Sequence, residues 1–171
     1  LDREHADVPF VLERAEVGGE PDAYELVVTA QGNAEAFASV FDLIKAAPSA
    51  PGWKFLALKP RTPGMAVDLQ PDGGRQLSTR NFKFATVPSA DPSGRFDLLF
   101  LADIDEDTFV ENLDALQRMG YLLAEAELGE FDAHRYLSSV AVIRQSAFQE
   151  QTGETGRPMA ELQAVFPPTP H

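Results

Sequence analysis

Cysteine is absent from the 171 residues, which excludes structural disulfides, thiolate zinc centres and cysteine nucleophiles. Histidine is scarce: His5 and His171 sit near the ends, leaving His134 alone inside the expected domain. No apolar run approaches the roughly 18 to 20 residues that a membrane span needs, and Leu1 to Asp7 lacks signal-peptide character. A first residue of Leu1 suggests a piece of a longer chain. Neither a Gly-x-Ser-x-Gly elbow nor a phosphate loop is present, and no Gly-x-Gly-x-x-Gly follows a strand. Nothing calls for a cofactor. Basic residues are also few, 14 Lys and Arg against 27 Asp and Glu, for a net charge of −13. A phosphate backbone demands a basic face, so general nucleic-acid binding is disfavoured. These absences fit a cytoplasmic protein without a membrane role.

What remains is ordinary for a globular chain, with 44% hydrophobic and 24% charged residues. The length suits one domain with a real core. Charge is unevenly placed. Trp53 to Arg95 carries seven basic and three acidic residues, a net of +4, whereas Phe96 to Asp132 carries eleven acidic residues and only Arg118, a net of −10. Two differently decorated solvated faces would explain this. An acidic surface that recruits a basic protein partner would explain it too.

Tyr24 to Leu58 is the organising stretch. Tyr24, Leu26, Val28 and Ala30 alternate with Val27 and Thr29, which predicts a strand. Asn33 is a natural N-cap, Glu35 suits the first turn, and Phe37, Val40, Phe41 and Ile44 form one helical stripe. Ala46-Ala47-Pro48 closes the helix, and Trp53 to Leu58 reads as a second strand with Trp53 core or semi-buried. Upstream, Val8 to Glu16 predicts an edge strand turning back at Gly18-Gly19. Downstream, short strands are expected at Met65 to Leu69, after the turn at Gln70 to Arg75, at Asn81 to Val87, and at Arg95 to Ala102. The last is apolar on both faces and so central. Asp105 or Asp107 should cap a helix burying Phe109, Leu113, Leu116 and Gly120. Met119 to Glu130 continues it, with Gly120 as the expected break. Tyr136 to Ile143 is a final strand. There is no detectable internal repeat. The expected architecture is α+β: a ferredoxin-like two-layer sandwich over residues 1–148, a mostly antiparallel sheet with helices on one face. Residues 149–171 read as an irregular C-terminal tail, able to lie against the domain through Met159, Leu162, Val165 and Phe166.

Three stretches carry a family resemblance: Tyr24 through Ala47-Pro48 to Pro51-Gly52-Trp53-Lys54; the strand Phe96 to Leu101; and Leu122 to Asp132 followed by Val140 to Ile143. Ala-Ala-Pro, Pro-Gly-Trp and Leu-Gly-Glu-aromatic-Asp are the telling parts. Over roughly residues 10 to 145 the chain resembles a family of uncharacterised bacterial proteins known only as a domain of unknown function. The resemblance implies a ferredoxin-like α+β domain. Similar domains sometimes accompany one that looks like the acidic protein regulator of ribonuclease E, which implies protein regulation. It supplies no catalytic residues.

Candidate sites are few. Asp103, Asp105 and Asp107 have the spacing of a calcium loop's opening, but Thr108 and Asp114 stand where Gly and Glu are needed. An Asp-rich helix N-terminus accounts for the same pattern. His134 with Glu130 and Asp132 (and Glu125 and Glu127 nearby) could furnish an acid and a base. Carboxylates on the outer face of a helix are more often simply solvated. Gly129 would end that helix or permit close packing. Phe82 and Phe84 beside Lys83 resemble a nucleic-acid stacking platform, yet alternate as core residues do. Arg61, Arg75 and Arg80 could gather around an anion. The expectation is a non-enzymatic protein-interaction or regulatory domain with an acidic surface, able to dimerise through an edge strand. The rival is a metal-dependent hydrolase or other enzyme using Asp103 to Asp107 and His134. It requires His134 and at least two carboxylates in one cleft.

Overall fold

The strand, helix, strand unit expected around Tyr24 is the first piece of the fold. The computed structural model describes residues 11–16, 24–70 and 76–170, the first stretch as backbone only. Strand β1 (Val11–Glu16) lies antiparallel to β2 (Tyr24–Thr29), giving the predicted hairpin, whose turn at Gly18-Gly19 is outside the described residues. A 3-10 turn at Ala34–Ala36 leads into helix α1 (Phe37–Lys45). The Asn33 side chain accepts the Glu35 N–H at 3.2 Å, as an N-cap should. Phe37 and Val40 are buried and pack with half-buried Phe41 and Ile44 against Val28 and Ala30. Strand β3 (Trp53–Ala57) returns parallel to β2. Trp53 is not in the core. It is 41% exposed, its ring 5.1 Å from that of Tyr24.

Leu58 adds one more ladder bond, to the Val28 carbonyl at 2.8 Å, and then takes a φ of 63°. The chain leaves the sheet there, and Pro60 and Pro63 lack the N–H groups to continue it. Later strands therefore do not complete the first sheet, contrary to the expectation of one mostly antiparallel sheet. Strands β4 (Asp68–Leu69) and β5 (Leu77–Ser78) make a small antiparallel ribbon, and residues 71–75 lie outside the described residues. Next come β6 (Lys83–Pro88), β7 (Phe96–Ala102), α2 (Glu106–Glu111), α3 (Leu113–Tyr136), β8 (Leu137–Arg144), α4 (Gln145–Thr152), β9 (Arg157–Pro158) and α5 (Leu162–Val165). They form a four-stranded sheet in the order β8-β7-β6-β9, with β7 and β8 parallel. The class is α+β. The two larger sheets share one connectivity: an antiparallel pair, a helical crossover, then a parallel strand. The sequence showed no repeat, yet the topology has one.

The main core lies between the four-stranded sheet and α3, where Phe84, Leu98 and Phe100 meet Leu116, Met119, Leu123 and Leu128. Phe82 and Phe84 are core residues and are closed to a stacking role. On the opposite face, Ala85 and Leu101 pack on Phe148 of α4. Helices thus cover both faces rather than one. The C-terminal segment is not an irregular tail: α4 continues to Thr152, β9 pairs with β6, and Leu162 and Phe166 are buried with Met159 and Val165 beside them. Its apolar residues needed a partner surface more than a local period.

Helix α3 also differs at Gly120. It runs unbroken through Gly120, where a Cβ would lie 2.6 Å from Val142 Cγ2, so this glycine lets the helix approach the sheet. The break comes at Gly129, with φ 72° and ψ 161°. Leu113, expected in the buried stripe, is 43% exposed, while Met119 and Leu123 take the inner positions.

Candidate functional site

The acidic tract from Phe96 to Asp132 divides into two unlike halves. Asp103, Asp105, Glu106, Asp107, Glu111 and Asp114 are all exposed around α2 and the first turn of α3. Between them stand Val110, 67% exposed, and Leu113. Asp105 is the N-cap. Its carboxylate accepts the Thr108 N–H and the Thr108 hydroxyl, each at 2.8 Å. Glu106 meets Arg144 at 3.3 Å across an exposed surface, a contact of small energetic weight. Asp103 and Asp105 line a cleft of about 290 Å³ with Ile104, Ser78 and Asn81.

The other half is internal. Glu127, Glu130 and Asp132 are buried around the Gly129 break, so the expectation of solvated carboxylates on an outer helix face is corrected. Glu130 accepts the Gly32 N–H at 2.9 Å on one oxygen and the Lys59 N–H at 3.2 Å on the other. Its own N–H donates to the Lys59 carbonyl at 2.9 Å. Glu127 accepts from the Gly64 N–H at 2.8 Å and from the Gln163 side-chain amide at 3.1 Å. Asp132 accepts from Arg61 Nε at 3.1 Å and Nη2 at 2.5 Å, while Arg61 Nη1 donates to Gln163 Oε1 and to the Phe166 carbonyl, both at 2.7 Å. Burial opposes the charge on Asp132, but hydrogen bonds from Thr169 and from Arg61 outweigh it and hold the carboxyl below its ordinary range. This constellation ties α3 to the loop after β3 and to the C-terminal segment. Arg61 is consumed in it, Arg80 meets Asp68 at the surface, and Arg75 lies outside the described residues. Among the described residues, Arg61 and Arg80 each serve a separate carboxylate and do not gather around an anion.

His134 is exposed, edge-on to Phe37 with ring centroids 5.5 Å apart. It lines a cleft of about 440 Å³ with Glu125, Glu130, Ser138 and Ser139. The fold thus brings His134 and two carboxylates into one cleft, but leaves Asp103 and Asp105 lining another and Asp132 lining neither. Both oxygens of Glu130 are occupied by backbone donors, and Glu125 meets Lys59 at 3.1 Å. Among the described residues, no group of three or more His, Asp and Glu could hold a metal ion.

Sequence reasoning missed Lys59, Arg61 and Gln163 as partners of the buried acids. The available signal was Lys-Pro-Arg directly after a strand, where proline forbids further pairing and two long cations must find acceptors elsewhere. Among the described residues, no helix is long and apolar enough to cross a membrane. Comparison with protein-family models, with curated proteins and with solved structures gives no match to the chain.

Proposed function

We propose that the chain is a non-enzymatic protein-interaction domain that engages a basic partner through the acidic end built by α2 and the start of α3. The observation that carries this reading is the grouping of six exposed carboxylates around exposed Val110 and Leu113. Charges of one sign steer an oppositely charged partner and set specificity, while a small apolar centre supplies contact area. The buried carboxylates of the tract are spent inside the fold, which leaves this end as its acidic surface among the described residues. A regulatory role and a place in the bacterial domain-of-unknown-function family belong to the same reading.

The test is a partner-binding titration comparing the native chain with the triple variant Asp107→Asn, Glu111→Gln, Asp114→Asn. All three residues are exposed, so folding should be kept. The partner is first isolated by cross-linking in its cell of origin. Association should weaken by about tenfold in the variant and fall as salt shortens the Debye length from about 10 Å at 0.1 M. Unchanged affinity in the variant would refute the acidic end as the contact.

A second reading has one observation in its favour: His134 shares a cleft with Glu125 and Glu130. Acid–base chemistry there predicts a turnover lost in His134→Ala. The engagement of Glu130 by two backbone N–H groups argues against it as a base.

A further inference from the structure

The outer edge of β8 is already half covered by something that behaves as a strand. Gln117, reaching from α3, donates its side-chain amide to the Val142 carbonyl at 2.8 Å and accepts the Val142 N–H at 2.9 Å. One carboxamide thus supplies the donor and acceptor that a neighbouring β-strand would supply. Because both peptide groups of Val142 are turned toward Gln117, they face away from β7. In a parallel ladder this direction repeats every second residue. Val140 must therefore present its own N–H and C=O on the same outer edge, and no described residue takes them. Val140 lines the cleft of about 440 Å³, which exposed Tyr121 and Leu122 and half-buried Glu125 also line.

We propose that this stretch of β8 is a docking site for an extended peptide segment of a partner protein, which adds a short strand at Val140 above the point where Gln117 closes the edge. Backbone pairing fixes the occupant as extended, since only an extended chain offers a donor and an acceptor at strand spacing. Alternate side chains on the peptide would then meet Tyr121 and Leu122. Charge complementarity selects a basic segment: Lys59 offsets one of the two carboxylates that line the cleft, Glu125 and Glu130, which leaves one net negative charge, and Lys59 meets Glu125 through Oε2. The site is separate from the acidic end of α2, so either surface can fail without the other.

The test uses the full chain with a designed probe, the acetylated and amidated peptide Val-Lys-Val-Lys-Val, followed by amide-resolved NMR and hydrogen exchange. In the free protein Val142 should exchange slowly and Val140 at least tenfold faster. Saturating peptide should slow Val140 at least tenfold and leave Val142 unchanged. A probe N-methylated at alternate amides keeps charge and side chains but cannot extend a ladder, and should lose the effect. Leu122→Arg, at an exposed position, should weaken the probe at least tenfold without altering the fold. Val140→Pro, which removes the edge N–H and is tolerated on edge strands, should weaken the probe at least tenfold, read from the peptide-induced shifts of Tyr121 and Leu122. Equal protection of Val140 and Val142 without peptide would overturn the proposal, as would equal binding of the N-methylated probe. Shifts confined to α2 with no change at Val140 would also overturn it, while leaving the acidic end standing.

Discussion

Replacing Gly129 with alanine probes the joint between α3 and the loop after β3. At φ 72° and ψ 161°, Gly129 occupies backbone space that residues with a Cβ avoid, at a cost of about 1–3 kcal/mol. A methyl group there would lie 3.0 Å from the Lys59 carbonyl oxygen and 3.1 Å from the Arg61 nitrogen, both backbone atoms that no rotamer change can move aside. Relief requires shifting residues 59–61, which loosens the bond from the Glu130 N–H to the Lys59 carbonyl, worth about 1 kcal/mol net. The sum is about 3 kcal/mol. For a chain of this size each kcal/mol lowers Tm by about 2–4 °C, so a fall of about 6–12 °C is expected. Gly153→Ala is the matched control. That glycine ends α4 at φ 77°, and a Cβ built on it meets nothing within 4 Å. Only the left-handed backbone cost of about 1–2 kcal/mol applies there. Urea unfolding and calorimetry on both variants separate the terms. If the two variants lose the same stability, the close approach at Gly129 contributes nothing and the reasoning fails.

Asp132→Asn should cost about 3–5 kcal/mol at pH 7, because it leaves the Arg61 guanidinium buried without its counter-charge. It should also flatten the acid limb of the stability curve. The folded carboxyl lies below its unfolded value, so its contribution is complete above that unfolded value, near pH 4, and is lost as pH falls through the folded one. Urea midpoints from pH 6 down to pH 2 give the comparison, and equal slopes in both proteins would contradict it. Gln117→Ala should cost about 1–3 kcal/mol by stripping Val142 of both partners, and should raise Val142 amide exchange. Unchanged Val142 protection would mean that the carboxamide does not close the edge. Gly120→Ala gains about 1 kcal/mol of helix propensity. Its methyl would meet Val142 Cγ2 at 2.6 Å, an overpacking cost of about 1–3 kcal/mol. A net loss in thermal unfolding is expected, and a net gain would show slack between α3 and the sheet.

Local signals were legible wherever the decisive partners were near in sequence. The Tyr24 alternation, the Asn33 cap and the α1 stripe each involve residues within a few positions, and all three stand. The centrality of β7 was legible because Leu98 to Leu101 are apolar on both faces. The buried acids were not, because Glu130 takes its donors from Gly32 and Lys59, 98 and 71 residues away. A helix-borne Glu-x-x-Glu reads as solvated until a distant backbone arrives to satisfy it. Gly120 reads as a break for a similar reason: the neighbour it admits, Val142, is not visible within the helix, whereas Gly129, expected as a helix end or a point of close packing, is both. The C-terminal segment was obscured by its short elements, since a four-residue helix such as α5 has no period to detect.

The buried carboxylates also bear on how the two halves are held in register. Glu127, Glu130 and Asp132 are out of water, yet the Arg61 guanidinium meets only Asp132 among them. Glu130 is satisfied by backbone N–H groups, and Glu127 by one N–H and one side-chain amide. Apolar residues of similar volume would bury as well and avoid the desolvation cost of charge. What they could not do is distinguish one loop position from the next, because hydrophobic contact is non-directional. A carboxylate set between the Gly32 and Lys59 N–H groups can. Slipping the loop after β3 by a single residue would leave a buried carboxylate oxygen without its donor, a cost of about 1–3 kcal/mol or more for a charged group. The acids inside α3 therefore act on alignment more than on cohesion, and the left-handed break at Gly129 is the geometry that lets neighbouring carboxylates point at three different segments.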